Sequence, residues 1–287
     1  MKYCILGGTG TLGKALINEL LARGETDITV VSRDELKQSE LKKVYKDVSF
    51  ELGDVRDVHR MRELLNHDVV FYAAALKQVD TIEANVSEAI KTNVIGGMNV
   101  ADACRSNYVR HVVFCSTDKA VLPINAYGYT KGLAEKYFLS LNTGKATDPH
   151  FTVCRWGNVV GSRGSAIPIF TRQIKEGLPI TLTDERMTRF WMRIEDAAKF
   201  MLDTYRTRPT ETQIPPMKAA PVVSVIEAIA AILEKDYKIE ITGIRPGEKI
   251  HECLWTSHER CIKSNDDDIQ MSGEELKELI RPVVESV

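Results

Sequence analysis

The fold is decided near the start of the chain by the stretch Tyr3-Cys4-Ile5-Leu6-Gly7-Gly8-Thr9-Gly10-Thr11-Leu12-Gly13. Its first four residues predict a short buried strand, and from Leu12 to Arg23 apolar residues recur at helical spacing. The glycines between strand and helix allow a tight turn and a close approach of the backbone to a ligand. A helix that begins after such a turn offers N–H groups and a positive dipole end to a pyrophosphate. This context predicts a dinucleotide-binding loop, whereas a glycine turn alone is only a common strand–helix connection.

Short apolar runs and helical patterns alternate through the first half of the chain, which is typical of a parallel sheet flanked by helices. The predicted strands cover residues 3–6, 27–32, 48–52, 69–74, 109–116 and 151–155, and the predicted helices cover 12–23, 86–107 and 127–141. Beyond residue 158 the pattern is looser, with helices expected near 169–176, 195–205, 222–233 and 273–280 and strands near 180–183 and 237–244. We therefore expect an α/β fold with a Rossmann-type doubly wound parallel sheet. The predicted domains are a cofactor-binding domain at 1–160, to which 191–210 returns, and a smaller C-terminal substrate-binding lobe at 161–287.

The overall composition narrows the class of protein. The chain has 287 residues, 44% hydrophobic and 27% charged, with a formal net charge of −2, as in ordinary globular proteins. This balance argues against a nucleic-acid-binding protein, which usually has a basic excess. The six cysteines are scattered singly and lack metal-ligand spacing, so we expect no metal site and free thiols in a reducing, cytoplasmic compartment. The first apolar run is too short for a signal peptide and no run is long enough to span a bilayer, so we expect no membrane insertion.

The ends of the next three predicted strands extend the dinucleotide site. An NAD enzyme keeps an acid for the ribose 2′-hydroxyl near the end of the second strand, but Ser32 and Arg33 come first here, and an arginine suits a 2′-phosphate. NADP is therefore favoured over NAD, the alternative being that Arg33 is a solvated loop residue and Asp34 binds a bare ribose. Asp54 is expected either to accept from the adenine amino group or to cap a helix that starts near Val58. The predicted cofactor contacts are Gly7, Thr9, Gly10, Thr11, Leu12, Gly13, Ser32, Arg33, Lys37, Asp54, Val55, Ala74, Ala75, Tyr127 and Lys131.

A tyrosine and a lysine lie one helical turn apart after the fifth predicted strand. Tyr127 and Lys131 would share one face of a helix, and a nearby ammonium and an oxidised nicotinamide both favour a tyrosinate. Together they are expected to lower the pKa of Tyr127 from about 10 toward working pH. Tyr127 then takes a hydroxyl proton as hydride leaves the carbon, and Ser116 or Thr117 hydrogen-bonds the same oxygen. The same pair by itself is also compatible with an ordinary helix surface.

An acid and an amine stand side by side at the end of the same strand. Asp118 is suited to protonating a leaving group, and Lys119 to removing a carbon-bound proton. Lysine acts as a base only where burial or neighbouring cations lower its proton affinity. The alternative is a strand-end ion pair with a capping role. With the tyrosine, the pair points to an oxidation, elimination and reduction cycle on a sugar.

Longer motifs at residues 7–13, 32–38, 53–57, 91–93, 116–120, 125–131, 157–165, 187–191 and 245–249 carry a family resemblance over most of the chain. With them the chain resembles extended short-chain dehydrogenases/reductases that act on nucleotide sugars. More narrowly, it resembles the configuration-inverting UDP-N-acetylglucosamine 4,6-dehydratases of polysaccharide and flagellar-glycan biosynthesis. Retaining relatives carry Asp-Glu where this chain has Asp118-Lys119, so the resemblance implies inversion at C5.

The resemblance implies a reaction sequence. Tyr127 deprotonates the sugar O4 while tightly bound NADP⁺ takes hydride from C4, and the 4-ketone acidifies the C5 proton. Lys119 removes that proton, and Asp118 protonates O6 so that water leaves. Hydride then returns to C6, and C5 is reprotonated from the opposite face. The implied catalytic residues are Asp118, Lys119, Tyr127, Lys131 and Thr117, and the implied product is a UDP-4-keto-6-deoxy-hexosamine.

The resemblance also implies a site for the nucleotide half of the substrate. Arginine side chains fit a diphosphate, Glu248 fits ribose hydroxyls, and Lys77 either neutralises a phosphate or is a loop lysine in water. The implied substrate-binding residues are Lys77, Asn158, Arg163, Arg186, Arg189, Arg245 and Glu248. The expected partners are a UDP-sugar and further copies of the chain in a homo-oligomer. The alternatives are a nucleotide-sugar epimerase at C4 or C2, a 5,6-dehydratase, and a catalytically idle nucleotide-binding scaffold.

Overall fold

The structure, a computed structural model, describes residues 1–162, 164–256 and 261–287, and the chain divides into two units. Unit 1 comprises Met1–Arg155 and Ala198–Ile214, and unit 2 comprises Trp156–Ala197 and Pro215–Val287. Each unit has its own hydrophobic core. The assignment of cofactor binding to the first part of the chain and substrate binding to the second stays a prediction.

Strands and short helices alternate along the described chain. The strands are β1 (Tyr3–Leu6), β2 (Ile28–Ser32), β3 (Ser49–Leu52), β4 (Val69–Tyr72), β5 (His111–Thr117), β6 (His150–Trp156), β7 (Asn158–Val159), β8 (Ile180–Leu182), β9 (Thr188–Met192), β10 (Lys218–Pro221), β11 (Ile239–Ile241), β12 (Cys253–Thr256) and β13 (Cys261–Lys263). The α-helices are α1 (Thr11–Ala22), α2 (Glu35–Val44), α3 (Val58–Leu64), α4 (Val79–Glu83), α5 (Val86–Ala89), α6 (Gly96–Ser106), α7 (Ala126–Ser140), α8 (Ala166–Lys175), α9 (Ile194–Thr204), α10 (Val222–Leu233) and α11 (Gly273–Ser286).

The sheet of unit 1 has the doubly wound order that the sequence predicts. Within the described residues its six strands run β3-β2-β1-β4-β5-β6, and the four pairs from β3 to β5 are parallel. β1 and β4 are buried along their whole length, because helices cover both faces of such a sheet. The strand order reverses between β1 and β4, and at such a switch point the carboxyl ends of the strands leave a crevice for a ligand. The predicted Rossmann-type fold is confirmed.

The long helix predicted over residues 86–107 is interrupted. One turn of π-helix at Ile90–Ile95 separates α5 from α6. A π-turn inserts an extra residue into the helical ladder, and such turns occur frequently at functional sites. Apolar periodicity continues across it, so the sequence pattern did not reveal the break.

Unit 2 contains smaller sheets around a separate core. In the described residues β10, β9 and β7 form one sheet, β11 pairs with β8, and β12 pairs antiparallel with β13. The core is built from α8, α10 and α11, with Ile167, Ile229 and Ile280 fully buried. The strand expected near 237–244 is confined to β11, and the sequence analysis did not predict β9 or β10.

A disulfide corrects the expectation that all six cysteines are free thiols. Cys253 and Cys261 are joined across β12 and β13, with their Cα atoms 6.2 Å apart. The other four cysteines carry free thiols, of which Cys115 is partly exposed. The spacing of eight residues gave no sequence signal, because the two thiols meet only when the strands pair. In the parts of the chain that the structure describes, no helix has the length and apolar character needed to cross a membrane.

Candidate active site

The glycine loop lies at the switch point of the sheet. Gly7 has a φ of 81°, and a Cβ built on it would lie 2.7 Å from the backbone nitrogen of Ala74, so the loop after β1 packs directly against the loop after β4. The N-cap of α1 is Gly10, which leaves the first turn without a capping side chain. N–H groups at an uncapped helix start bind anions well. These features fit a dinucleotide pyrophosphate at Gly7, Thr9, Gly10, Thr11, Leu12 and Gly13, with Ala74 and Ala75 on the neighbouring loop.

Asp54 is held by arginines at the end of β3. Arg56 donates to both carboxylate oxygens, at 3.1 Å from Nε to Oδ1 and 2.6 Å from Nη2 to Oδ2. Arg33 lies farther away, with Nη1 3.6 Å from Oδ2. The alternative that Asp54 caps the helix near Val58 is wrong, because Asp57 accepts from the backbone N–H of Arg60 and caps α3. Val55, the next predicted contact, is buried.

Lys37 and Asp34 are paired with each other at the start of α2. Asp34 caps this helix, accepting from the backbone N–H of Lys37 at 3.0 Å, and its other carboxylate oxygen accepts from the Lys37 ammonium. Asp34 is therefore engaged as a helix cap, and the charge of Lys37 is largely compensated. Ser32, almost completely buried, and the half-exposed Arg33 complete the end of β2.

Gly128 allows the turn that carries Asp118 and Lys119 to lie close to α7, the helix that carries Tyr127. Asp118–Ala120 form a 3₁₀ turn after β5, and Asn125 caps α7 by accepting from the Gly128 N–H at 2.7 Å. A Cβ on Gly128 would lie only 2.2 Å from the carbonyl oxygen of Lys119. The 3₁₀ turn can lie against the first turn of α7 only because residue 128 has no side chain.

Hydrogen bonds join four of the five predicted catalytic side chains. Asp118 is completely buried, and its Oδ1 accepts from Thr117 Oγ1 and from Lys119 Nζ, each at 3.0 Å. Thr117 also shares a hydrogen bond with the Tyr127 phenol. The ion pair of the alternative interpretation therefore exists, but the cap of the turn is Thr117, which accepts from the Lys119 N–H at 3.4 Å. Thr117 links the acid to the tyrosine.

The electrostatics of Tyr127 differ from the expectation. Burial raises the pKa of the phenol above its usual value, the Cys115 thiol and the Asp118 carboxylate act in the same direction, and only the Thr117 hydrogen bond opposes them. The Lys131 ammonium donates to the carbonyl of Cys115 at 2.5 Å, and burial lowers the pKa of Lys131 to about 8. The prediction that Lys131 lowers the pKa of Tyr127 is therefore wrong, because the surrounding residues together raise that pKa.

Ser116 and Thr117 occupy different positions on β5. Alternate residues of a strand face opposite sides of the sheet, so the two hydroxyls point to opposite faces. The Ser116 hydroxyl is buried and has no hydrogen-bond partner among the described residues, whereas Thr117 reaches Tyr127. Of the two alternatives that the sequence left open, the geometry favours Thr117.

Asn93, in the π-turn, was not among the predicted site residues. Its Oδ1 accepts from the backbone N–H of Leu76 at 2.9 Å, and its Nδ2 donates to the Leu76 carbonyl at 3.0 Å and to Thr130 Oγ1 at 3.1 Å. It thus fixes the loop after β4 to α7, next to the exposed Lys77. The sequence signal for Asn93 is its place in the motif at 91–93, which indicates the family but assigns the residue no role.

The predicted nucleotide-binding arginines of unit 2 are partly engaged within the protein. Arg189 lies on β9, and its guanidinium donates to the carbonyls of Thr188, Lys249 and Ile250 at 2.7–2.9 Å. Arg186 makes two contacts with the carboxylate of Asp184, at 2.9 and 2.7 Å, and lowers the pKa of that acid to about 2. Through its hydrogen bonds to the carbonyls of Lys249 and Ile250, Arg189 holds this segment next to β9.

The other predicted substrate residues of unit 2 are more accessible. Glu248 accepts from the backbone N–H of Arg245 at 3.2 Å, which closes a charged turn on an exposed segment. Asn158 lies on β7 beside Trp191 of β9 and is half-buried. Arg163 lies outside the described residues.

Comparison with known proteins places the chain in a family. Residues 3–273 match the family described as polysaccharide biosynthesis protein. The chain belongs to this family. It is 42% identical over 264 residues to the UDP-N-acetylglucosamine 4,6-dehydratase (inverting) of Campylobacter jejuni, covering 88% of this chain and 77% of the relative.

Other proteins similar to this chain carry different names. The UDP-glucose 4-epimerase of Rickettsia conorii is 38% identical over 286 residues, covering 95% of this chain and 83% of the relative. Among solved structures, Pen from Bacillus thuringiensis has a TM-score of 0.92 and 33% identity, covering 98% of this chain and 97% of that one. The resemblance to extended short-chain dehydrogenases/reductases is confirmed. The names of the Campylobacter and Rickettsia relatives both give a UDP-sugar as substrate, but they give different reactions.

Proposed function

We propose that this protein is a UDP-N-acetylglucosamine 4,6-dehydratase that inverts C5, a lyase acting through transient oxidation of its substrate. The observation that carries the proposal is the hydrogen-bonded pair of the buried Asp118 and the partly exposed Lys119, joined through Thr117 to Tyr127. An epimerase needs a group that handles the O4 proton but has no use for an acid and a base at C5 and C6. The 42% identity to a relative of the same activity supports the choice.

The Asp118–Lys119 pair has the right number of protons for elimination. An ion pair of carboxylate and ammonium holds the same single mobile proton as a neutral pair of carboxylic acid and amine. Moving that proton across the 3.0 Å between Oδ1 and Nζ turns one into the other. Complete burial of Asp118 favours the neutral form once substrate excludes water, because charges are costly in a low dielectric.

In the neutral form each group performs one half of the elimination. The Lys119 amine takes the C5 proton, the C5–H electrons form the C5–C6 double bond, and the C6–O6 bond breaks. The Asp118 carboxyl gives its proton to O6, which leaves as water. Carboxylate and ammonium are then restored as an ion pair, so the proton count balances.

Tyr127 acts on the sugar O4. Since the protein's own groups raise the pKa of Tyr127, the phenol needs a cation beside it in order to lose its own proton, and the resulting phenolate can then accept the O4 proton. A bound nicotinamide dinucleotide supplies hydride acceptance and return, and its oxidised ring is positively charged. The loop at Gly7–Gly13 would hold its pyrophosphate, and Lys131 would meet the ribose from the buried face of α7. We infer NADP rather than NAD, because Ser32 and Arg33 stand at the end of β2 while Asp34 is engaged as a cap.

Unit 2 is proposed to bind the UDP half of the substrate. The exposed Arg245 and the half-buried Glu248 lie on one charged turn and suit a phosphate and a ribose hydroxyl. Arg189 would act indirectly by holding the segment at 249–250. Homo-oligomer formation and a cytoplasmic location stay predictions.

The test is a product analysis in deuterated water. Purified protein is incubated with UDP-N-acetylglucosamine and, in parallel, with UDP-glucose, and the products are followed by NMR. A 6-deoxy-4-keto hexosamine with deuterium at an inverted C5 is expected. An epimer formed without loss of water, from either sugar, would instead support the 4-epimerase that the Rickettsia relative suggests.

A further inference from the structure

The Gln38 side chain forms hydrogen bonds with the ends of two neighbouring strands, β2 and β3. It lies on α2, is 3% exposed, and its Nε2 is 3.0 Å from Ser32 Oγ, 3.1 Å from Ser32 O and 2.7 Å from Glu51 O. A single amide nitrogen therefore serves acceptors on both β2 and β3. The reversed amide would place its oxygen against three other oxygens, so the network fixes the amide orientation.

This arrangement determines what the Ser32 hydroxyl can do. Because Gln38 donates to Ser32 Oγ, the hydroxyl hydrogen must point away from Gln38. The Ser32 carbonyl is already occupied, since it also accepts from the Gly53 N–H at 3.1 Å. The hydroxyl is thereby kept as a donor at the strand end, next to Arg33. A donor beside a guanidinium suits a phosphate oxygen better than a ribose hydroxyl.

We propose that Gln38 is a positioning residue for recognition of the dinucleotide 2′-phosphate, acting through the Ser32 hydroxyl. The inference rests on the proposed use of NADP. Gln38 does not touch the phosphate but aims the donor that does and ties the end of β2 to β3. The pairing of Lys37 with Asp34 adds to its importance, because Ser32 is then left with Arg33, whose contact with Asp54 is longer at 3.6 Å, as the principal phosphate ligands.

The test compares nucleotides with and without a 2′-phosphate. Adenosine 2′,5′-bisphosphate and adenosine 5′-diphosphate, which carry the same number of phosphates, are titrated calorimetrically into the full chain, and 5′-AMP serves as the unphosphorylated 2′ reference. The wild type is expected to prefer the 2′-phosphorylated ligand. Gln38→Met should reduce this preference about tenfold, as expected for one misdirected hydrogen bond to a charged group. Ser32→Ala should do the same, and the double variant should lose no more than Ser32→Ala alone.

A matched variant separates positioning from support of the fold. Leu41 is buried on the same helix and contributes no polar group, so Leu41→Ala should lower the melting temperature and leave the 2′ preference unchanged. Gln38→Asn, which withdraws the amide from Ser32 while staying polar, provides a second variant if Gln38→Met does not fold. Its preference is expected to fall in the same way.

The outcomes distinguish this inference from the proposed function. A wild type without preference for the 2′-phosphate would overturn both the use of NADP and the role of Gln38. A wild-type preference that persists in both Gln38 variants would overturn only the role of Gln38. Equal weakening of all the nucleotides, or additive effects of Gln38→Met and Ser32→Ala, would show that Gln38 merely supports the strand ends.

Discussion

Gly128→Ala tests the contact that brings the 3₁₀ turn against α7. The added Cβ would lie 2.2 Å from the Lys119 carbonyl oxygen and 3.1 Å from Pro123 Cβ. Restoring an ordinary contact of 3.4 Å separates turn and helix by about 1.2 Å. A displacement of about 1 Å can lower a rate about 100-fold, so we expect dehydration to slow by about that factor. Gly128 itself has no group that takes part in the chemistry.

The same substitution should leave the protein folded. Overpacking a tight contact costs about 1–3 kcal/mol of unfolding free energy, and alanine recovers about 1 kcal/mol of helix propensity over glycine. The unfolding free energy should therefore fall by about 0–2 kcal/mol, which urea denaturation can measure. Turnover is measured by NMR from UDP-N-acetylglucosamine, alongside exchange of the C5 proton with deuterated water.

Gly132→Ala is the matched control on the same helix. Its Cβ would face the carbonyl oxygen of Ala120 at 3.1 Å, which needs a shift of only a few tenths of an ångström. Turnover of this variant should stay within a few-fold of wild type. If Gly128→Ala folds and turns over as fast as Gly132→Ala, the close approach of turn and helix is not what places the Asp118–Lys119 pair.

Three further predictions concern other residues of unit 1. Lys119→Ala should abolish elimination while some C4 oxidation survives, detected as reduced cofactor without product, and unimpaired turnover would contradict its role as base. Arg155→Met should lower the unfolding free energy by about 3–5 kcal/mol because it leaves the buried Glu135 carboxylate unpaired, whereas adding Glu135→Leu should recover most of the loss in urea denaturation. Burial lowers the pKa of Lys131 to about 8, so the unfolded state binds more protons above pH 8. From pH 8 to pH 9 the unfolding free energy of the wild type should therefore rise relative to Lys131→Met by about 1 kcal/mol, and parallel pH profiles would exclude the shift.

Local pattern was enough to predict the architecture of unit 1. The buried strands read as continuous apolar runs, and the Gly7–Gly13 loop stands between a strand and a helix, so both the sheet and its ligand-binding edge followed from neighbours in sequence. The break at Ile90–Ile95 was missed because a π-turn leaves the apolar periodicity intact. The helix cap at Asp57 was missed because Asp54, three residues earlier, has the same chemistry.

The sequence by itself determined which chemical groups are present and on which strand ends they stand: the glycine loop, the Asp118–Lys119 pair and the tyrosine helix. Only the tertiary structure decided how these groups affect one another. Thr117 rather than Ser116 reaches Tyr127, Lys131 donates to a backbone carbonyl, and Gln38 donates to the Ser32 hydroxyl on another element. Hydrogen bonds and pKa shifts depend on distances of a few ångströms and on burial. Both are set by packing between segments far apart in the chain, which no local pattern encodes.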